Sequence, residues 1–238
     1  MPRHSNQLAI KRDVHFTRWV FRAYLCVLFL MPLPLGSNRP IFWSVMVAGI
    51  ALLALTWFIG LATGVARWPG AVNRARWALM PLALFVLWGG LQFSGLLSAF
   101  NVQSVDVAAS ADAFLLSLGF LMLGFLTIVL VRSRRRALLV LYTLVLAGLL
   151  QAIFGSLMTL SGTEFQLADY RQVGGGNAHG TFVNRNHYAN LLVLALSAGV
   201  GLLLAQMDLG GPSTFRQRLR SLPENIAGVA DAMKRSAP

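Results

Sequence analysis

Six runs of mainly apolar residues, each long enough to cross a lipid bilayer, constrain this chain more than any other feature. A transmembrane helix needs about 20 consecutive residues of mainly apolar character. Only 12% of the 238 residues are charged, about half the fraction found in soluble domains. The sequence therefore predicts an all-α integral membrane protein with about six transmembrane helices. The predicted spans are residues 19–36, 41–63, 77–97, 113–131, 137–160 and 188–206.

Basic residues are distributed unevenly over the segments between these spans. Of the 20 Lys and Arg residues, all but Arg39, Arg171 and Arg185 fall on one side when successive segments alternate between the two faces of the membrane. Loops rich in Lys and Arg stay on the cytoplasmic side. The distribution predicts that both termini lie inside, and it accounts for the net charge of +12 without nucleic acid as a partner. Residues 161–187 then form the longest outer loop.

The predicted topology divides the chain into three parts. Residues 1–18 form a basic cytoplasmic N-terminus, residues 19–206 form the six-span membrane domain, and residues 207–238 form a polar cytoplasmic tail. In the tail, Ser213 or Thr214 is placed to cap a short amphipathic helix on the anionic inner leaflet.

The middle of each span contains few polar side chains. Gln92 and Gln151 are the notable ones, and we expect each amide to bond to a neighbouring helix. Trp57 belongs to a set of tryptophans near the predicted span ends, which is typical of interfacial aromatic residues. Ion-coupled transporters usually need ionisable groups inside the membrane, and none lies in the middle of these spans.

The segment Gly180–Asn190 joins the longest outer loop to the sixth span and has the sequence GTFVNRNHYAN. It places Asn184, Arg185, Asn186 and His187 at the outward-facing start of a helix, where free N–H groups and the helix dipole favour an anion. The guanidinium of Arg185 matches phosphate oxygens, and His187 can donate a hydrogen bond or shuttle a proton. Asn186 is suited to cap the helix. Together these residues predict a site for a lipid-linked diphosphate at the outer leaflet.

Several outer residues have both a binding and a structural interpretation. His179 is either a ligand or an ordinary loop histidine, and Gly174–Gly176 form either an anion-binding nest or a hinge. Arg185 would also fit as an anchor in the lipid headgroups, and Tyr188 is typical of an interfacial aromatic residue. The histidines lack the usual spacing of metal ligands, so no metal site is predicted.

The run Gly-Thr-Phe-Val-Asn-Arg-Asn-His-Tyr-Ala at 180–189 resembles the motif that opens the core domain of O-antigen ligase and O-antigen polymerase-like membrane proteins. The resemblance implies a metal-independent glycosyltransferase of the bacterial inner membrane, without a cofactor. Such enzymes move a glycan from undecaprenyl diphosphate to an acceptor on the periplasmic side. By motif position, Arg185 and His187 inherit a role in the substrate site, and Arg171 is a further candidate for binding the diphosphate. The catalytic residue stays unknown, because the family's catalytic histidine lies in a large later loop.

Members of this family continue through several spans beyond the motif. We therefore expect this chain to be the N-terminal part of such an enzyme, either truncated and inactive alone or completed by a separately encoded C-terminal half as a partner. One alternative is a non-catalytic membrane subunit that binds lipid-linked glycan. Another is half of a transporter or flippase, which would need polar groups inside the spans, where only Gln92 and Gln151 are found.

Overall fold

The computed structural model describes residues 2–96, 104–162, 165–167, 170–172 and 177–206. Within these residues the chain is helical, apart from the connections and one short hairpin. Helices α2 to α6 are each long and apolar enough to cross a membrane, which confirms the predicted multi-pass, all-α class. The helices are α1 (Pro2–Leu30), α2 (Pro40–Ala62), α3 (Gly70–Phe93), α4 (Val107–Leu130), α5 (Arg134–Ser161) and α6 (Arg185–Gln206).

Each predicted span corresponds to one helix, but the boundaries differ. The largest difference concerns the first span, predicted at 19–36: α1 begins at Pro2 and ends at Leu30. Pro32 and Pro34 follow that end, and proline removes the backbone N–H that a continuing helix needs. A turn and a short 3-10 helix, Leu35–Ser37, then lead into α2. At its N-terminal end, α1 continues through polar residues that precede its apolar part.

Local capping residues set the boundaries of α4 and α5. Asp106 caps α4, because its carboxylate accepts a hydrogen bond from the backbone N of Ala109 at 3.0 Å. Ser133 caps α5 in the same way, with its hydroxyl 3.3 Å from the backbone N of Arg136. Gly162 ends α5 in the left-handed conformation at φ +64°, which glycine adopts without steric cost.

The hydrophobic core lies mainly between α1, α2 and α4. The hydroxyl of Tyr24 on α1 lies 2.7 Å from that of Thr127 on α4, so an interhelical hydrogen bond lies within the core. Trp57 is fully buried, and its ring centroid lies 5.4 Å from that of Phe125. The interfacial interpretation of Trp57 is therefore wrong, because its ring fills the space between α2 and α4. The buried core residues are Val20, Phe21, Tyr24, Ile50, Ala54, Trp57, Val72, Leu126, Val129 and Leu130.

An ion pair joins three of the basic segments that the sequence placed on one face. The carboxylate of Asp13 on α1 lies 3.0 Å from a guanidinium nitrogen of Arg132, which follows α4. Its other oxygen accepts from the backbone N of Arg67, between α2 and α3, at 3.1 Å. Arg136 on α5 donates to the hydroxyl of Thr17 at 3.4 Å. The N-terminal part of α1 and the connections α2–α3 and α4–α5 therefore meet at one end of the helices.

A short hairpin lies within the connection between α5 and α6. Its strands β1 (Phe165–Leu167) and β2 (Tyr170–Gln172) are antiparallel, with Gln166 opposite Arg171. This connection runs from 162 to 184, because α6 begins at Arg185, inside the outer loop predicted at 161–187.

The chain divides into a compact unit Met1–Gly199 and a second unit Val200–Pro238. Of the second unit the structure describes the last residues of α6, up to Gln206. The predicted cytoplasmic tail at 207–238, with Ser213 and Thr214, lies outside the described residues.

Candidate functional site

A buried glutamine on α5 holds the segment that leads into α6. The side chain of Gln151 is only 1% exposed. Its Oε1 accepts a hydrogen bond from the backbone N of Thr181 at 3.1 Å, and its Nε2 donates to Thr181 Oγ1 at 2.7 Å. Nε2 also donates to the backbone carbonyl of Pro32 at 3.0 Å. One amide therefore joins α5 to the residues after α1 and to the residues before α6.

The expectation that the span glutamines bond to neighbouring helices is wrong for Gln151, because Pro32 and Thr181 lie in the connections. A helix interior offers no free carbonyl, whereas the proline break after α1 leaves one at Pro32. Gln92 lies half-buried at a cavity of about 110 Å³ between α3 and α4. Within the part of the chain that the structure describes, its amide makes no hydrogen bond.

Tyr188 on α6 is buried against α5. It is 6% exposed, and its hydroxyl donates to the backbone carbonyl of Gln151 at 3.2 Å. Gly155 makes room for it, because a Cβ there would overlap the Tyr188 hydroxyl. Two helical turns before Gly155 on α5, a Cβ on Gly148 would overlap the Cβ of Ala195 on α6. The interfacial interpretation of Tyr188 is therefore wrong: the residue is part of a tight α5–α6 contact.

Two glycines in the left-handed conformation shape the connections around this contact. Gly180 has φ +54° and lies against Gln151 and Tyr188. Gly36, in the connection between α1 and α2, has φ +63°, and a Cβ there would overlap the ring of Phe182. Phe182 is itself 8% exposed, so the residues immediately before α6 are packed as well as hydrogen-bonded.

Asn184 caps α6. Its Oδ1 accepts a hydrogen bond from the backbone N of Asn186 at 2.8 Å, and its carbonyl accepts from the backbone N of Tyr188 at 3.2 Å. These are the contacts of a helix N-cap residue. The expectation that Asn186 would be the cap is wrong, because α6 begins at Arg185 and Asn186 is already inside its first turn.

Arg185, Asn186 and His187 are the first three residues of α6, and their side chains are exposed. Among the described residues, none of the three side chains makes a hydrogen bond or an ion pair. The backbone on both sides of them is fixed by Thr181 and Tyr188. A cation, an amide and an imidazole are therefore held at the start of a helix, with their polar atoms available.

The other predicted site residues lie in the connection before α6. His179 is half-buried, and its Nδ1 lies 3.1 Å from the carbonyl oxygen of Gly180. Because a carbonyl oxygen can only accept, Nδ1 is the donor in this contact. Arg171 lies in β2, where the structure describes the backbone alone, and Gly174–Gly176 lie outside the described residues.

The residues that hold the backbone before α6 were not sequence candidates for the site; they include Gln151, Pro32, Thr181 and Phe182. A polar side chain within a long apolar run was the available signal for Gln151. Pro32 acts through its backbone carbonyl, which accepts a hydrogen bond from Gln151. The pattern of side chains in the sequence gives no signal for such a contact. Within the described ranges, no group of three or more His, Cys, Asp or Glu residues is placed to hold a metal ion.

No protein-family model, no curated protein and no solved structure matches this chain.

Proposed function

We propose that this chain binds the diphosphate of an undecaprenyl-diphosphate-linked glycan at the start of α6. It would do so as the substrate-binding part of a glycosyltransferase that resembles O-antigen ligases and polymerases. The observation that carries the proposal is the exposure of Arg185 and His187 on a backbone that Gln151 and Thr181 hold in place.

The chemistry of a diphosphate fits these groups. Its oxygens carry negative charge, and the guanidinium of Arg185 can donate two parallel hydrogen bonds to a phosphate. The positive end of the α6 dipole adds to the attraction, and the imidazole of His187 supplies a further donor. The buried contacts of Thr181 and Tyr188 order this backbone before any ligand arrives, so less conformational entropy is lost on binding.

The proposal includes six spans with both termini in the cytoplasm of a bacterial cell, in its inner membrane. The Asp13 ion pair joins the arginine-rich connections at one end of α1, and Pro32 contacts Gln151 beyond the other end. This arrangement supports α1 as a span, and it would put Arg185 at the periplasmic surface.

A binding measurement on the purified chain in lipid nanodiscs tests the proposal. Undecaprenyl diphosphate should bind, and Arg185→Gln should weaken that binding about tenfold, as expected for the loss of a charged hydrogen-bond donor. Arg74→Gln is the matched control, since Arg74 is an exposed arginine on α3. Undecaprenyl monophosphate should bind more weakly than the diphosphate. Equal affinities for the wild type and Arg185→Gln would overturn the proposal.

A transfer assay separates an enzyme from a non-catalytic binding subunit. The chain would be incubated with a lipid-linked glycan and an acceptor, alone and together with polypeptides encoded directly downstream. Transfer that Arg185→Gln abolishes would support the glycosyltransferase. Binding without transfer in either arrangement would favour the subunit that holds lipid-linked glycan.

A further inference from the structure

The two faces of α1 differ sharply in character. One face is buried and contains Asp13, Thr17, Val20, Phe21 and Tyr24. The opposite face is exposed, and its residues recur at the three- and four-residue spacing of a single helix face. The exposed residues are Arg12, His15, Arg18, Trp19 and Arg22. We call these five residues the α1 stripe.

Three side chains of the α1 stripe, those of His15, Trp19 and Arg22, contact one another in sequence along the helix. The indole Nε1 of Trp19 donates to Nε2 of His15 at 3.1 Å, with the ring planes at 72°. The Cζ of Arg22 lies 4.8 Å from the centroid of the Trp19 ring. Trp19 is 56% exposed, so this arrangement of imidazole, indole and guanidinium lies on the outside of the bundle. Stacking on the indole orients the guanidinium without using its N–H donors.

The positive charge of the stripe has no nearby partner of opposite sign in the part of the chain that the structure describes. Among the described residues, the carboxylate next to it in sequence, Asp13, faces the other way and is paired with Arg132 and the backbone N of Arg67. The guanidinium groups of Arg12, Arg18 and Arg22 make no hydrogen bond or ion pair in the described part of the chain. Their donors therefore remain available to an anion.

The position of the stripe along α1 fits the headgroup region of a bilayer. Trp19 lies about 9 Å along the helix axis from Asp13, whose ion pair is at the level where α4 ends and α5 begins. Tryptophan prefers the interface between headgroups and acyl chains. Arg22 points from a deeper position back toward Trp19, as expected for a side chain whose charge reaches the interface from an apolar stem.

We propose that the α1 stripe binds the phosphate group of an anionic phospholipid, with phosphatidylglycerol as the representative chemistry. The guanidinium of Arg22 donates to the phosphate oxygens, Trp19 supports the guanidinium and packs on the glycerol region, and Arg18 and Arg12 add charge on the aqueous side. This site is independent of the proposed diphosphate site, which belongs to α6.

Lipid binding to the purified full chain in a neutral detergent tests this assignment by native mass spectrometry. Phosphatidylglycerol should bind at least about tenfold more tightly than phosphatidylcholine, and Arg22→Gln should reduce its affinity about tenfold. Trp19→Leu should weaken binding to a similar extent, and Trp19→Phe, which keeps an aromatic face, less. Arg22→Lys should fall between the wild type and Arg22→Gln, because it keeps the charge and loses the planar fork.

Arg74→Gln is the control for diffuse charge, since Arg74 is exposed and makes no ring contact of this kind. At about 0.5 M salt, where long-range charge effects are screened, it should change the affinity less than about threefold. Equal losses in Arg74→Gln and Arg22→Gln would overturn the site, as would wild-type affinity in Arg22→Gln with unchanged helix content. If about 10 mM inorganic phosphate displaced the lipid, the α1 stripe would be a site for free phosphate, and the lipid assignment would be overturned.

Discussion

The side-chain amide of Gln151 contacts Thr181 with both of its ends: Oε1 accepts from the Thr181 backbone N at 3.1 Å, and Nε2 donates to its hydroxyl at 2.7 Å. The two residues are 30 positions apart in sequence. Through this pair, a helix interior fixes the residues that precede α6. The exposed groups of Arg185 and His187 do not touch Gln151 or Thr181, but their position depends on the contact between those two residues.

The first prediction concerns this anchor. Gln151→Leu would leave the half-buried backbone N of Thr181 without its acceptor and would remove a partner from the carbonyl of Pro32. We expect a loss of about 2 kcal/mol in the free energy of unfolding, within the range for an unsatisfied buried polar group. Unfolding in denaturing detergent, followed by circular dichroism, measures it. Gln92→Leu serves as the control and should change stability by less than about 0.5 kcal/mol, because the Gln92 amide makes no hydrogen bond within the described residues. Similar losses in both variants would contradict this role of Gln151.

The second prediction concerns the close packing of α5 and α6. Gly148→Ala should destabilise the chain by about 1–3 kcal/mol, because the new methyl overlaps the Cβ of Ala195, which has no rotamer to change. Gly89→Ala is the matched helical control: nothing lies within 4 Å of its Cβ position. There we expect no loss, or a gain of up to about 1 kcal/mol from helix propensity. Thermal unfolding of both variants decides the point, and a neutral Gly148→Ala would show that α5 and α6 are not in this contact.

The third prediction distinguishes two neighbouring asparagines at the start of α6. Asn184→Ala should cost about 1 kcal/mol, because the side-chain bond to the backbone N of Asn186 is lost. Asn186→Ala removes an exposed side chain and should cost less than about 0.5 kcal/mol. Hydrogen exchange of the first-turn amides of α6 should rise in Asn184→Ala alone. The reverse order of effects would restore Asn186 as the cap.

The fourth prediction concerns the ion pair between Asp13 and Arg132, whose side chains are 12% and 25% exposed. A double-mutant cycle with Asp13→Asn and Arg132→Gln should give a coupling energy of about 1–2 kcal/mol. Asn at position 13 can still accept from the backbone N of Arg67, which limits the cost of the single variant. Asp112→Asn, at an exposed position in α4, should be neutral. A coupling energy near zero would mean that the two charges do not stabilise the chain together.

The positions of the long apolar helices follow from local features of the chain, so the sequence could predict them. Apolar runs of sufficient length must be helical in a bilayer, because every backbone polar group there needs a partner within its own segment. The helix ends were predicted less well. Capping by Asn184 or Asp106 and the proline break after Leu30 depend on single residues, and a polar stretch such as the start of α1 continues a helix without changing the apolar pattern.

The sequence by itself determined an all-α membrane protein, the concentration of basic residues in alternate connections, and a polar cluster at the start of the last helix. Only the tertiary structure decided which residues support that cluster. Gln151, Pro32, Thr181 and Tyr188 come from three separate parts of the chain, and their contacts depend on how α5 meets the connections around α1 and α6. Periodicity and composition indicate which residues along one helix are buried and which are exposed. A hydrogen bond between distant residues is decided by packing, which places a buried amide opposite a free carbonyl.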